Sequence, residues 1–293
     1  MKSTIIKAPA KVNLYLDVIN KRPDGYHNIE TIFERIDLCD WIKIAVIPKD
    51  IKVECAPCFC KNLADNTAFK AAKVLLERHN IRCGFRIQID KRIPIAAGLG
   101  GGSSNAASVL LGINNLLNLG LNRDNLIKLA AAIGADVPFF VSQYSRAFAA
   151  GIGDELSLLK QGQKTHFLLV KPAIKILTYS VYNKLDLIYA KKPKISLTKL
   201  GGNANIFSHY LRGLTASEMQ NALYNKLEEV VLPSYPVLRG IKKALKTAGA
   251  EGILVSGSGS TVFGTFTSRK EAARAEGILR KKGNWELFLA TSY

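Results

Sequence analysis

The chain has 293 residues, 48% of them hydrophobic and 22% charged, enough for a sizeable core and two domains, which excludes a disordered or fibrous protein. Lys and Arg outnumber Asp and Glu by 41 to 23, a formal charge of +18, and such a field suits a polyanionic partner. The excess is +7 over residues 1–150 and +11 over 151–293, so it is spread through the chain rather than gathered in a tail. No apolar run approaches the ~20 residues a membrane helix needs. The segment from Met1 to Lys7 runs straight into a strand-like pattern without a signal-peptide architecture, so a cytoplasmic protein is expected. Five cysteines is an odd count. Cys55, Cys58, Cys60 and Cys83 admit a zinc site, but a second C-x-x-C pair is missing, which favours reduced, half-buried thiols in a hairpin region.

In chain order, Val12, Leu14 and Leu16 alternate with Lys11, Asn13 and Tyr15, which predicts a strand over 10–18 with Lys11 and Asn13 on its other face. Arg22-Pro23-Asp24-Gly25-Tyr26-His27 carries a turn signal. Strand-like runs follow at 32–36, 41–47 and 85–89, with a helix over 66–77 between the last two. Further helices are expected at 103–117 and 124–133, then a buried strand at 167–170. A polar, irregular stretch spans 191–213, followed by helices at 221–231 and 236–248. Strands at 253–255 and 262–266, a helix at 269–281 and a strand at 288–290 complete the pattern. Strands and helices interleave without regular βαβ spacing, which favours an α+β class. The pattern changes near residue 165, and two domains are expected, at 1–160 and 161–293.

Three segments carry chemistry. The first is Pro94 to Asn105, with Gly98, Leu99, Gly100, Gly101, Gly102, Ser103 and Ser104 running into a helix. Glycines let a backbone approach a phosphate, and the free N–H groups of a helix start favour an anion. No Lys-Ser/Thr pair follows, so it is not a Walker A loop, and Ser103 stands where a Rossmann fingerprint needs glycine. The second is Ser256-Gly257-Ser258-Gly259-Ser260-Thr261 between two apolar runs: a plain turn, or a second wall around the same phosphates. The third is Asp136, a lone carboxylate before Val137-Pro138-Phe139-Phe140. It can cap a helix, or take a proton from a substrate hydroxyl if a cation such as Lys11 keeps it ionised.

Together these segments resemble the GHMP kinase superfamily, which phosphorylates small alcohols. Ala8-Pro9-Ala10-Lys11-Val12-Asn13-Leu14 and the Asp24-Gly25-Tyr26-His27 turn narrow the resemblance to the branch whose acceptor is a cytidine diphosphate-linked methylerythritol of the non-mevalonate isoprenoid pathway. The resemblance implies an N-terminal domain similar to domain 2 of ribosomal protein S5 and a ferredoxin-like C-terminal domain. It implies ATP with Mg2+, the phosphates lying on the amides of Gly100 to Ser104. Asp136 matches the family's base and Lys11 its cationic partner. Asn13 falls near the substrate, Tyr26 stacks on the cytosine, His27 hydrogen-bonds it, and Tyr182 matches the opposing aromatic plate unless it is an ordinary core or surface residue. Gly257, Ser258 and Gly259 belong to the family's second glycine motif. No metal ligand is assigned, because no second acidic residue stands near the loop. A small-molecule substrate, no membrane, no nucleic acid, and a monomer or homodimer are expected. A basic RNA-binding protein without catalysis is the competing class: it accounts for the charge but not for Lys11, Asp136 and two glycine clusters in one chain.

Overall fold

The computed structural model describes residues 2–56, 62–160, 162–190 and 221–293. Cys58, Cys60 and the polar stretch expected at 191–213 lie outside the described residues. Helices and strands alternate in an α+β arrangement, and the chain falls into two compact units built from interleaved segments. The first comprises Met1–Ala10, Leu38–Ile95 and Gly100–Tyr144, the second Lys11–Asp37, Ala96–Leu99 and Ser145–Tyr293. Two long strands, β1 (Ser3–Lys21) and β2 (His27–Ile47), contribute a portion to each.

In the first unit, β3 (Ile51–Ala56), β4 (Gly84–Asp90), β2 and β1 lie in that order across a sheet. β4 runs antiparallel to β2, from Trp41 opposite Asp90 to Ile47 opposite Gly84, and parallel to β3. Phe85, Ile87 and Ile89 are buried while Arg86 and Gln88 point outward, the period-2 alternation of a sheet with one core face. Among the described residues, the α-helices of this unit are α1 (Thr67–Arg78), α2 (Gly101–Leu117), α3 (Arg123–Ala131) and α4 (Val137–Ser142). α1 starts where the Asn66 side chain accepts from the Ala68 and Phe69 amides. It buries Ala68, Ala71, Ala72 and Leu75 on one stripe, and it packs on α2. α2 lies close to the sheet at Gly112, where a Cβ would stand 2.4 Å from the Ile6 side chain and 2.7 Å from that of Ile44. α3 and α4 pack on the same helix.

The second unit holds the remaining elements. β5 (Arg146–Ala150) runs antiparallel to β2, placing Glu34 opposite Arg146, and β6 (Glu155–Leu158) pairs with β5. β8 (Tyr224–Asn225) runs parallel to β1. A separate antiparallel sheet has the order β11 (Glu286–Thr291), β7 (His166–Lys171), β10 (Val262–Phe266), β9 (Ile253–Val255). Its helices are α5 (Thr178–Ala190), α6 (Glu228–Ser234), α7 (Pro236–Thr247) and α8 (Arg269–Leu279). α7 opens on Pro236 at a position that needs no amide donor, and buries Leu238, Ile241, Ala244 and Leu245. α8 opens on Ser268, whose hydroxyl accepts from the Glu271 amide. Leu168, Val170, Leu185, Val231, Leu245, Val255 and Val262 lie in one continuous core.

Three expectations are corrected. The strand runs at 32–36 and 41–47 are a single strand, because Asp40, which reads as an interruption, is buried and bonded rather than part of a turn. The helix expected over 221–231 is interrupted: Asn221 and Ala222 are helical, but Tyr224 and Asn225 pair with β1, the Asn225 side chain bonds backbone groups instead of facing solvent, and a helix starts again at Glu228. α2 starts at Gly101, two residues early, with Gly100 ahead of it in the left-handed region (φ 69°) that glycine tolerates. The residue patterns did not mark α5, β5 or β6.

Candidate active site

Within the second unit, β1 carries Lys11 and Asn13 on one face, as the alternation requires. Both are buried. Lys11 Nζ donates to Asn13 Oδ1 at 2.6 Å and stands 4.8 Å from the centre of the Phe33 ring. Asn13 Nδ2 donates to Thr31 Oγ1 at 2.8 Å, and that hydroxyl donates to the Tyr15 carbonyl at 2.6 Å. A buried ammonium is retained only where such partners replace its water.

The two glycine segments meet this strand. The Lys11 amide donates to the Leu99 carbonyl at 3.0 Å, and the Thr261 amide to the Ala97 carbonyl at 3.2 Å. Ser256 Oγ donates to the Gly98 carbonyl at 2.9 Å and lies 3.4 Å from the Asn13 amide. A Cβ on Gly98 (φ 76°) would stand 2.1 Å from the Ser256 carbonyl oxygen, so only glycine fits. Gly257 approaches Asn13 closely, its virtual Cβ 3.2 Å from Asn13 Oδ1. Ser258 Oγ shares a hydrogen bond with Thr178 Oγ1 at 2.9 Å. Gly259, at φ 86°, completes the turn. The 256–261 segment is therefore more than a plain turn: it is stitched to residues 97–99 and to the strand bearing Lys11.

This second glycine segment is held from behind by residues that sequence patterns did not single out. Asn225 Nδ2 donates to the carbonyls of Val255 and Gly257, both at 2.8 Å, while its Oδ1 accepts from the Leu227 amide at 2.9 Å. Glu228 Oε1 accepts from the Val255 amide at 2.8 Å and is itself bonded by Lys242.

The first unit carries the helix start and the carboxylate. The Ser104 amide bonds back to the Gly100 carbonyl at 2.9 Å, which leaves the amides of Gly101, Gly102 and Ser103 without intrahelical partners. The Ser104 hydroxyl is buried without a hydrogen-bond partner among the described residues. An orphaned hydroxyl beside three free amides, at the positive end of a 17-residue helix, fits a phosphate group. Asn105 points elsewhere: its Nδ2 donates to Asp40 Oδ2 at 2.8 Å, and Lys91 bonds both Asp40 and Asn105. Asp40 Oδ1 accepts from the Arg92 and Ile93 amides at 2.8 Å each. This fixes the segment leading into Pro94, which is half-buried. Asp136 occupies the position before α4 but makes no capping hydrogen bond to it.

A third group lies on the β1–β2 turn of the second unit. The Arg22 amide bonds the Tyr26 carbonyl at 2.8 Å and Gly25 takes φ 87°, which leaves the Tyr26 ring exposed and the His27 ring buried. Tyr182 on α5 packs against His27 with ring centroids 4.9 Å apart and planes tilted by 32°. One helical turn later, Asp186 Oδ1 lies 2.7 Å from His27 Nε2, and its Oδ2 bonds Lys21 at 2.7 Å. Partial burial pushes the Asp186 carboxyl up, but the bonds from Lys21 and His27 outweigh it and hold it below the usual carboxylate range.

Residues 66–144 match the GHMP kinases N terminal domain and residues 209–284 the GHMP kinases C terminal domain. The chain is 42% identical to 4-diphosphocytidyl-2-C-methyl-D-erythritol kinase of Citrifermentans bemidjiense over 286 residues, 97% of each chain. The chain belongs to this kinase family. The family's enzyme from Pelobacter propionicus is 43% identical over 94% of this chain and 95% of its own. A crystal structure of 4-(cytidine 5'-diphospho)-2C-methyl-D-erythritol kinase superposes with a TM-score of 0.77 at 33% identity, covering 99% of this chain and 100% of that one. The fold is accordingly that of a GHMP kinase, as the motifs implied. No helix among the described residues is long and apolar enough to cross a membrane. No group of three or more His, Cys, Asp or Glu among them has metal-site geometry.

Proposed function

We propose that the chain transfers the γ-phosphoryl group of ATP to the 2-hydroxyl of 4-diphosphocytidyl-2-C-methyl-D-erythritol, a cytoplasmic step of non-mevalonate isoprenoid precursor synthesis. The observation that carries this reading is identity of about two residues in five with kinases of that name along nearly the whole chain. Asp136 takes the proton of the acceptor hydroxyl. Lys11, preset by Asn13 at 2.6 Å, supplies the positive charge that favours the alkoxide. The oxygen attacks the γ-phosphorus, the bond to the β–γ bridging oxygen breaks, and ADP leaves. The free amides of Gly101 to Ser103 and the Ser104 hydroxyl hold the nucleotide's phosphates, with Mg2+ arriving on the nucleotide to neutralise their charge. Such catalysis is mostly positioning and electrostatic stabilisation. Pro94 and Gly98 to Asn105 shape the nucleotide loop, and Gly257, Ser258 and Gly259 form the wall beside Asn13. Tyr26, His27 and Tyr182 hold the cytosine.

The test is incubation with ATP, magnesium and the cytidylyl methylerythritol, with mevalonate and homoserine as comparison acceptors, followed by product identification. Phosphorylation of the cytidylyl alcohol alone is the expected result. Asp136→Asn should lower kcat by roughly 10²–10⁴-fold, the range for a lost general base, while nucleotide still binds. Turnover near that of the wild type would remove Asp136 from this role.

A further inference from the structure

An ionised carboxylate can only accept hydrogen bonds. Asp186 Oδ1, 2.7 Å from His27 Nε2, therefore requires the proton on Nε2, so that Nδ1 is the acceptor nitrogen whenever the ring carries a single proton. The carboxylate is kept ionised from its other side, where Lys21 Nζ bonds Oδ2 at 2.7 Å. Tyr182 lies against the imidazole and projects from the same face of α5 as Asp186, four residues away. The ring is thus fixed in tautomer by one residue of that face and in orientation by the other.

We infer that Asp186 is a specificity-determining residue: by setting the His27 tautomer, it makes the site select a base with an amino donor over one with a carbonyl acceptor. This rests on the reading of Tyr26 and His27 as the base subsite. Cytosine and uracil differ at two adjacent edge positions, N3 and the exocyclic group on C4, and at the exocyclic position cytosine carries an N–H donor where uracil carries an oxygen acceptor. An Nδ1 that accepts pairs with the first and opposes the second.

Lys21 makes the inference sharply testable. In Asp186→Asn the amide oxygen stays with the Lys21 ammonium, which can only donate, so the NH2 group turns to His27. Nε2 must then accept, and the ring proton moves to Nδ1. The expected result is that the cytidylyl-to-uridylyl ratio of kcat/KM falls at least tenfold relative to the wild type, and that ¹⁵N NMR of the imidazole reports the Nδ1–H tautomer. A ratio unchanged in this variant overturns the inference. So does an Nδ1–H tautomer for His27 in the wild-type protein, a measurement that needs no variant to fold. If the wild type phosphorylates neither cytidylyl nor uridylyl alcohol, the proposed substrate fails, and the tautomer measurement still judges the Asp186–His27 device by itself.

Discussion

Asn225 uses both amide hydrogens and its carbonyl oxygen on backbone groups, one of them the Gly257 carbonyl in the loop that approaches Asn13 and another the Val255 carbonyl at the end of the strand that leads into it. Asn225→Ala leaves the Val255 and Gly257 carbonyls without these donors, at ~1–3 kcal/mol for each buried group. We expect a lower melting temperature and, at temperatures where the variant is fully folded, a reduced kcat. Full activity in the folded variant would limit Asn225 to stability. Asp186 gives a pH prediction. Its folded pKa lies below the ordinary value of 3.8, so its contribution to stability is complete above that value and disappears as pH falls through the folded pKa. In urea unfolding between pH 3 and 6, the stability difference between wild type and Asp186→Asn should therefore shrink toward the acid end. Lys11 and Asn13 were legible because a strand's alternation puts them on one face whatever surrounds it. Asn225 and Asp186 were not, since an amide thirty residues from its acceptors and a carboxylate 159 residues from its histidine leave no local trace.

At the scale of elements, the close backbone approach at the glycine clusters was legible because its constraint is local: a missing Cβ is visible in the sequence wherever it is needed. Gly98→Ala should be among the most damaging single-methyl additions, since the new carbon would stand 2.1 Å from the Ser256 carbonyl oxygen in a backbone conformation alanine avoids. Activity assay and thermal unfolding should both fall, and an active, stable Gly98→Ala would contradict the close approach. The α7 and α8 helices were plain in the sequence, with a proline start, a serine cap and a clean apolar stripe. α5 was not: Val181, Tyr182, Leu185, Ile188 and Tyr189 line one stripe against the core, but Tyr179 and Leu187 add apolar residues on the exposed side and blur the period.

At the scale of the molecule, Glu34 and Arg146 form a fully buried pair across β2 and β5, with Glu34 Oε1 and both terminal guanidinium nitrogens lacking hydrogen-bond partners among the described residues. Removing one member strands the other's charge, so Glu34→Ala should destabilise the protein by about 3–5 kcal/mol. Replacing both by Leu and Met should recover most of that loss in denaturant titrations. A single variant as stable as the wild type would show that the charge is hydrated rather than stranded. The α+β class and the kinase architecture were legible from the interleaved pattern and three motifs. The assignment of strand portions to compact units was not, because nothing in a continuous apolar alternation marks where one core hands over to the next.

Both long strands, β1 and β2, give their residues to two cores. The gene therefore has no seam at which it can be cut into two self-sufficient halves. A polypeptide ending at residue 144 carries residues 11–37 without the body they belong to, and one starting at 145 lacks them. Exchange of a single half between relatives would have to carry threads of the other with it, which favours inheritance of this enzyme as one indivisible piece.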